Sequence, residues 1–352
     1  MPTLAAVLRQ HWPEYERQFG AQILPSHRRA VAAILSCRTP ALGGELFRCP
    51  DCQREHFVYH SCNHRACPQC GQEAATHWLD CQKAKLLPVP YYLITFTVPE
   101  GLRAWLRSHQ KLGYSALLQE SAATLQDVAS RAKYLGAQLG LVSVLHTWGR
   151  QLQYHPHVHC IVPAGGLSPE GERWVRPKSP DFFLPQRVLA ARFRNRLRAA
   201  LAGAPDAAQI PAQVWRQAWV VDVQPAGRGE PALRYLSAYV YRTALGSQRI
   251  LRDQDGQITF QYKDSDDHQW HTLSLTAQEF IRRFLQHVLP KGFQRVRHYG
   301  WLSPAATQRW EKVLTLLAWK APPPPLPPEP SPPFCPHCGA QMSWIAALPR
   351  PP

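Results

Sequence analysis

Three histidines alternate with other residues in the segment His155-Pro156-His157-Val158-His159. Alternate residues of a β-strand lie on the same face, so the histidines share one face and Val158 lies on the other. Two imidazoles about 7 Å apart along a strand can converge on one cation. The spacing therefore predicts a divalent metal site held by His157 and His159; the alternative is a set of core or surface histidines without a ligand role.

A metal at these histidines needs a separate group that attacks. Bound Mg²⁺ or Mn²⁺ can polarise a phosphate and stabilise developing charge without supplying the nucleophile. Tyr235 and Tyr239 are four residues apart in a predicted helix, so their phenols share one helical face. Tyr241 is displaced by about half a turn, and it replaces one of the pair only if the helix register differs. The alternative is an aromatic core cluster without chemistry.

Two Cys-x-x-Cys pairs predict a second metal site. Cys49 and Cys52 are separated from Cys67 and Cys70 by 14 residues. Each pair forms a tight turn that can direct two thiolates at one ion, and two such turns complete a tetrahedral zinc site. Four thiolates leave no open coordination position, so this zinc is expected to be structural.

Other potential ligands lie near these pairs and at the far end of the chain. Cys62, His60 and His64 lie between the pairs and are weaker alternative ligands, because a complete set exists without them. Cys335 and Cys338 form half of a ribbon. Either a distant ligand completes that half-site or the fragment is vestigial, and the vestigial interpretation is favoured.

The charge of the chain indicates a polyanionic partner. Its 40 Lys and Arg against 24 Asp and Glu give a net charge of +16, which favours nucleic acid, although a basic protein without that role remains an alternative. Arg65, Arg234 and Arg242 are candidate phosphate contacts.

Neither a secretory signal nor an apolar run of membrane-spanning length is visible, so we expect a cytoplasmic protein with thiols rather than disulfides.

Hydrophobic patterning predicts an α+β fold with an antiparallel sheet flanked by helices and a small N-terminal zinc-ribbon-like module. Apolar and β-branched runs predict strands at 91–98, 139–147, 158–162, 218–223 and 258–263. Helical patterns cover 1–45, 100–135, 187–201, the segment from 231 and 276–288. The predicted domains are a helical segment at 1–45, a zinc-binding module at 46–85, a catalytic domain at 86–315 and a proline-rich linker with a Cys-x-x-Cys tail at 316–352.

An ordered set of motifs resembles a known family. The chain is similar to the transposases of bacterial rolling-circle insertion sequences, the two-tyrosine group of the His-hydrophobe-His (HUH) endonuclease superfamily. The resemblance covers about residues 5–315. Across that region the motifs follow one another in the same order as in the family, and such an ordered set is more specific than any single motif. The matching segments are Ser61–Cys70, Thr95–Pro99, Leu145–Gly149, His155–Pro163 with Gly165–Leu167, Tyr235–Arg242 and Leu289–Gly300.

The resemblance implies an HUH-type catalytic domain, Mg²⁺ or Mn²⁺ at the histidines, and structural Zn²⁺ at the cysteines. It implies that Tyr235 and Tyr239 form 5′-phosphotyrosine links with single-stranded DNA at the ends of the mobile element and with target DNA. Arg295 and Arg297 lie in the last matching motif and are expected to contact DNA. The family adds a third metal ligand, for which His155, His146 and Gln248 are candidates.

Three other functions are alternatives to the transposase. A zinc-ribbon DNA-binding regulator without catalysis explains the cysteines and the charge but not the histidine strand. A metal-dependent hydrolase would use water instead of tyrosine as its nucleophile. A replication initiator or relaxase of the same superfamily would share the chemistry, but the zinc module and the segment Leu289–Gly300 favour the transposase.

Overall fold

A computed structural model describes residues 1–70, 72–179, 182–240, 245–264, 267–323, 325–326 and 331–351, and within them the side chains of all but 72–74, 238–240 and 247. The chain forms two compact units. The first contains Met1–His77, Tyr241–Val288 and Leu326–Pro352, and the second contains Trp78–Val240 and Leu289–Pro325. Both ends of the chain therefore belong to the same unit.

The helices and strands follow one another through both units. The helices are α1 Leu4–Phe19, α2 Pro25–Ser36, α3 Gln72–Lys83, α4 Glu100–Ser108, α5 Gln110–Ala129, α6 Gln186–Leu201, α7 Ala212–Arg216, α8 Glu230–Val240, α9 Ala277–Leu285 and α10 Thr307–Leu316. The strands are β1 Gly44–Arg48, β2 Glu55–Tyr59, β3 Tyr91–Thr97, β4 Gly140–Trp148, β5 Tyr154–Pro163, β6 Gly166–Leu167, β7 Trp174–Val175, β8 Val220–Pro225, β9 Ile250–Gln254, β10 Gln257–Lys263, β11 Trp270–Thr276, β12 Val296–Gly300 and β13 Ser343–Leu348.

The first unit contains two small antiparallel sheets and a group of helices. Its sheets have the strand orders β13-β1-β2 and β11-β10-β9. The Thr3 side chain accepts a hydrogen bond from the Ala6 backbone N–H and begins α1. Leu4, Leu8 and other apolar residues at helical spacing are buried on α1, which contacts α2 and α9.

The second unit is built on a five-stranded antiparallel sheet with the order β12-β4-β5-β3-β8. Ile94, Phe96 and Val158 point to one face and belong to a core that also contains residues of α4, α5 and α6. The opposite face carries Thr95, His157 and His159, because these residues alternate with the core residues along β3 and β5. Helix α8 contacts β4.

The α+β class with antiparallel sheets is confirmed. The predicted strands at 91–98, 139–147, 158–162, 218–223 and 258–263 correspond to β3, β4, β5, β8 and β10, with β5 extended at its N-terminal end to Tyr154.

The interpretation of the Cys335–Cys338 fragment as vestigial was wrong, because β13 pairs with β1 from Gly44↔Leu348 to Arg48↔Ser343. No helix among the described residues is both long and apolar enough to span a lipid bilayer.

Gly300 is the last residue of β12, the edge strand of the five-stranded sheet, at a position where a side chain does not fit. It ends β12 with φ +63°, and a Cβ there would collide with the carbonyl oxygen of Leu139. Gly300→Ala is expected to lower the free energy of unfolding by about 3 kcal/mol, because left-handed strain and displacement of the Leu139 backbone add. The measurement is urea denaturation followed by tryptophan fluorescence.

The matched control is Gly171→Ala. Gly171 has a similar φ of +78°, but a Cβ there meets nothing within 4 Å. Only the conformational strain should remain, which costs about 1 kcal/mol. Equal losses of stability in the two variants would show that the Leu139 contact contributes nothing.

Candidate functional site

Strands β3, β4 and β5 bring three histidines together on the open face of the sheet. His146 lies directly opposite His157 in the β4–β5 ladder, and His159 lies opposite Thr95 in the β3–β5 ladder. Residues opposite one another in a ladder point to the same face. A register shift directly after His146 interrupts the β4–β5 pairing, a feature common beside active sites.

The three imidazoles form a compact cluster. His157 Nε2 and His159 Nε2 are 3.1 Å apart. The His146 ring centroid lies 4.4 Å from that of His159 and 5.0 Å from that of His157, and the candidate ligand atoms of all three lie within 4.8 Å of one another. Two nitrogens bound to one ion at about 2.1 Å are roughly 3 Å apart, so the His157–His159 spacing fits a shared cation.

The cluster is electrostatically neutral around pH 7. Removal from water lowers the pKa of His157 to about 4 and holds the pKa values of His146 and His159 well below the usual value. The neighbouring charge of Arg103 contributes to the lowered pKa of His157. Three neutral imidazoles each keep one lone pair for a cation, so the donor set fits a metal.

Hydrogen bonds to the outer nitrogens fix which ring nitrogen can bind. His157 Nδ1 lies 2.7 Å from the carbonyl oxygen of His155, which only accepts, so Nδ1 carries the proton and Nε2 is free for a ligand bond. His159 Nδ1 lies 2.9 Å from Thr95 Oγ1. When His159 binds a cation through Nε2, its Nδ1–H donates to that hydroxyl.

The geometry separates two of the candidates for the third ligand, His146 and His155. His146 belongs to the cluster, whereas His155 lies at its edge, with its ring centroid 5.1 Å from that of His157. Sequence spacing alone could not rank these two histidines, because His146 lies on a different strand and meets His157 only through the ladder. The third candidate, Gln248, lies in the short turn Ser247–Arg249 of the first unit.

Tyr235 lies beside the histidine cluster on α8. Its ring centroid is 5.7 Å from that of His159 and 6.4 Å from that of His146, and the residue is 43% exposed. Tyr239 follows four residues later on the same helix, with a side chain outside the described set. Tyr241 lies outside the described residues. One predicted tyrosine therefore reaches both the histidines and solvent.

The predicted arginine contacts have different surroundings. Arg295 is close enough to His146 for its charge to contribute to the lowered pKa of that histidine. Arg297 donates to Ser115 Oγ at 3.0 Å, and exposed Arg234 donates to Glu230 Oε1 at 2.7 Å. Arg65 is half-buried in the first unit, and Arg242 lies outside the described residues.

The cysteines of the first unit form two groups of four rather than the single predicted site. Cys67 and Cys70 lie with Cys37 and Cys62, and within each group the sulfurs lie within 4.8 Å of one another. The prediction that Cys49 and Cys52 share one ion with Cys67 and Cys70 was therefore wrong. The remaining four-cysteine group consists of Cys49, Cys52, Cys335 and Cys338.

The Cys37 group, formed by the four thiols Cys37, Cys62, Cys67 and Cys70, has the geometry of a zinc site. Cys70 Sγ lies 3.4 Å from Cys37 Sγ and 3.6 Å from Cys62 Sγ, close to the roughly 3.8 Å between thiolates that share a tetrahedral zinc. A hydrogen bond from Cys62 lowers the pKa of the Cys67 thiol to about 5. Since His64 Nδ1 accepts from the Ala66 backbone N–H at 3.1 Å, that nitrogen has a structural role.

Two family descriptions match the chain. "Transposase zinc-binding domain" matches residues 7–98, which include the Cys37 group. "Putative transposase" matches residues 140–309, which include the three histidines and Tyr235. The two matches lie in the order expected from the sequence motifs.

Two relatives are similar over most of their length. The chain is 37% identical to "Putative transposase y4qJ" of Sinorhizobium fredii over 322 residues, which cover 86% of this chain and 80% of the relative. It is 28% identical to "Transposase for insertion sequence element IS801" of Pseudomonas savastanoi pv. phaseolicola over 351 residues, covering 90% of this chain and 83% of the relative. No solved structure matches the chain.

The Thr95 hydroxyl holds the His159 ring in place through a contact of 2.9 Å to its Nδ1. Thr95→Val is expected to weaken Mn²⁺ binding by about tenfold, because loss of a hydrogen bond to the outer nitrogen of a ligand histidine typically weakens affinity 10–100-fold. Isothermal titration with Mn²⁺, supported by electron paramagnetic resonance of the free ion, measures the change.

Thr97→Val is the matched control. Thr97 lies two residues away on the same face of β3, opposite His157, and its hydroxyl makes no hydrogen bond within the described part of the chain. This variant should bind Mn²⁺ as the wild type does. A similar loss in both variants would assign the effect to strand β3 in general rather than to the Thr95–His159 hydrogen bond.

Proposed function

Because this chain belongs to the insertion-sequence transposases that carry an N-terminal zinc-binding domain, we propose that it cuts and rejoins single DNA strands through a covalent tyrosine–DNA bond. The observation that carries the proposal is exposed Tyr235 beside the buried cluster of His146, His157 and His159. A nucleophile and a metal site that polarises phosphate are the two parts such a reaction requires.

The second unit is proposed to have the fold of the HUH endonucleases. Its five antiparallel strands carry the paired histidines on β5, with helices covering the other face of the sheet. The helix that carries the tyrosine lies on the histidine side, because Tyr235 contacts the His159 and His146 rings. These three features together support the assignment.

Strand cleavage exchanges one phosphate ester for another. The phenol oxygen of Tyr235 attacks the scissile phosphorus, a new bond forms to the 5′-phosphate, and the bond from phosphorus to the 3′ oxygen breaks. The phenol proton passes to the leaving oxygen, which departs as a 3′-hydroxyl. Since the covalent link retains the energy of the broken phosphodiester, rejoining needs no ATP.

The three histidines would hold the divalent cation through their inward nitrogens. When bound, it supplies Lewis-acid polarisation of the scissile phosphate. Imidazole ligands fit a first-row transition ion better than Mg²⁺, which prefers oxygen ligands, so the donor set favours Mn²⁺ over Mg²⁺. Thr95 and the carbonyl of His155 hold the ligand rings in place.

Tyr239 is proposed as the second nucleophile. It lies one helical turn after Tyr235 on α8, and residues four apart on a helix share one face. A second tyrosine permits a second strand transfer before the first link is released.

The DNA substrates are proposed to be single-stranded element ends and target DNA. The net charge of +16 supplies a general attraction for the phosphate backbone. Arg295 near His146 is the best placed of the predicted contacts to meet the scissile region. Arg65, Arg234, Arg242 and Arg297 are proposed as further contacts.

Tyr235→Phe should abolish the covalent protein–DNA adduct while leaving the fold intact, because only the hydroxyl is removed. The assay incubates the protein and Mn²⁺ with single-stranded oligonucleotides that span the DNA on either side of its coding sequence. Denaturing electrophoresis detects the adduct, and mass spectrometry of the DNA-linked peptide identifies the tyrosine. Tyr134→Phe, at a half-buried tyrosine of the same unit, should retain the wild-type yield.

The products distinguish the alternatives. Free 5′-phosphate ends without an adduct would indicate a hydrolase that uses water. DNA binding with no cleavage of any oligonucleotide would support a regulator. Cleavage confined to an origin-like site, without joining to a second strand, would favour a replication initiator or relaxase.

His157→Ala should reduce cleavage by roughly 10³-fold or more, because metal polarisation of a phosphate contributes several kcal/mol. DNA affinity and its salt dependence should change little, because they depend on the arginines. Fluorescence anisotropy over a range of salt concentrations measures binding. His109→Ala, outside the cluster, is the control; a parallel loss of binding and cleavage in His157→Ala would contradict a catalytic role.

A further inference from the structure

The second group of cysteines joins residues from the two ends of the first unit. We define the Cys335 group as Cys49, Cys52, Cys335 and Cys338. Cys49 Sγ lies 3.4 Å from Cys338 Sγ, and Cys52 Sγ lies 3.6 Å from Cys335 Sγ, across 289 and 283 residues of sequence respectively. The match to the family's zinc-binding domain ends at residue 98 and includes only half of this group.

The two halves have the same backbone conformation. The N–H of Gln53 donates to the carbonyl of Cys49 at 3.0 Å, and the N–H of Gly339 donates to that of Cys335 at 2.9 Å. The residue after each second cysteine has a positive φ, +56° at Gln53 and +77° at Gly339. Each half is therefore a tight turn that presents two sulfurs in the same direction.

Backbone amides also donate to the sulfurs in a matched way. The N–H of Arg54 donates to Cys52, and the N–H of Ala340, at the equivalent position of the other turn, donates to Cys338. Such hydrogen bonds stabilise thiolates, which are the form that binds a metal. The correspondence indicates two copies of one ligand-presenting turn rather than a chance meeting of thiols.

The apolar core around the Cys335 group is too small to hold it together. Phe47 and Met342 are the buried non-cysteine residues that pack with Cys49 and Cys335. Phe47 lies on β1 of the three-stranded sheet β13-β1-β2, while Trp344 and Phe57 on the other two strands are 56% and 47% exposed. Small modules with so little buried apolar surface usually need a structural metal.

We propose that the Cys335 group binds a second structural zinc ion, which joins the C-terminal tail to the N-terminal module. All four ligands are thiolates, a donor set that selects Zn²⁺ over Mg²⁺ or Mn²⁺. Binding converts four thiols and Zn²⁺ into a tetrathiolate complex of charge −2 and releases four protons to solvent. In this proposal the ribbon consists of one turn from the N-terminal module, Cys49–Cys52, and one turn from the C-terminal tail, Cys335–Cys338.

Zinc content tests the proposal. The full chain, purified without added chelator, should contain about two zinc ions, because the described residues form two four-cysteine groups. The double variant Cys335→Ser/Cys338→Ser should contain about one. Cys81→Ser, whose cysteine belongs to neither group, should retain both. Zinc is measured by plasma mass spectrometry against protein from amino-acid analysis.

A cut in the proline-rich segment tests whether the metal holds the tail. A protease site is inserted between Pro323 and Leu326, and the cut protein is passed through a sizing column. The tail should co-elute in zinc, and chelator should release it. In Cys335→Ser/Cys338→Ser the tail should separate even in zinc.

Several results would overturn the proposal. They are one zinc ion in the wild type, an unchanged zinc content in Cys335→Ser/Cys338→Ser, or a tail that stays bound after complete removal of zinc. Cobalt substitution gives an independent reading, because the tetrathiolate absorption per chain should halve in the double variant. None of these measurements requires DNA cleavage, so failure here and failure of the proposed strand transfer are distinguishable.

Discussion

The second unit depends on one constraint, the two-sided use of strand β5. Val158, Cys160 and Val162 must be buried under α4, α5 and α6, and strict alternation then fixes His157 and His159 on the other face. A register slip of one residue would exchange the two sets, placing imidazoles in an apolar core and aliphatic side chains at the site. The free energy that stabilises the sheet therefore also specifies on which face His157 and His159 lie.

The same constraint explains how much the sequence could reveal. Period-two patterning located the strands of the second unit, the shared face of His157 and His159, and the α+β class, because these are local properties of the chain. It could not rank His146 above His155, since the choice depends on the register between β4 and β5. The sequence also could not predict that Thr95 contacts His159 Nδ1 or that the charge of Arg103 contributes to the lowered pKa of His157, because both depend on tertiary contacts.

The cysteines illustrate the same limit more strongly. Cys-Pro-x-Cys occurs three times, at Cys49, Cys67 and Cys335, and spacing favours the two copies that are close in sequence. The structure instead combines Cys67 with Cys37 and Cys62, which have no such motif, and combines Cys49 with Cys335. Motif spacing identifies turns that can present ligands, but the strand pairing of β1 with β13 determines which turns meet.

The pairing of β1 with β13 also has a consequence for biosynthesis. Cys52 and Cys335 are 283 residues apart, so at ribosomal rates of 5–20 residues per second the first half of the ribbon waits roughly 15–60 s for the second. During that interval β1 is an open sheet edge, which is prone to pairing with other chains. A ribosome that stops early leaves this edge permanently exposed, so proteolysis and aggregation would act first on incomplete chains. The last described strand of the chain, β13, therefore covers an edge of the first sheet that would otherwise be free to pair with other chains.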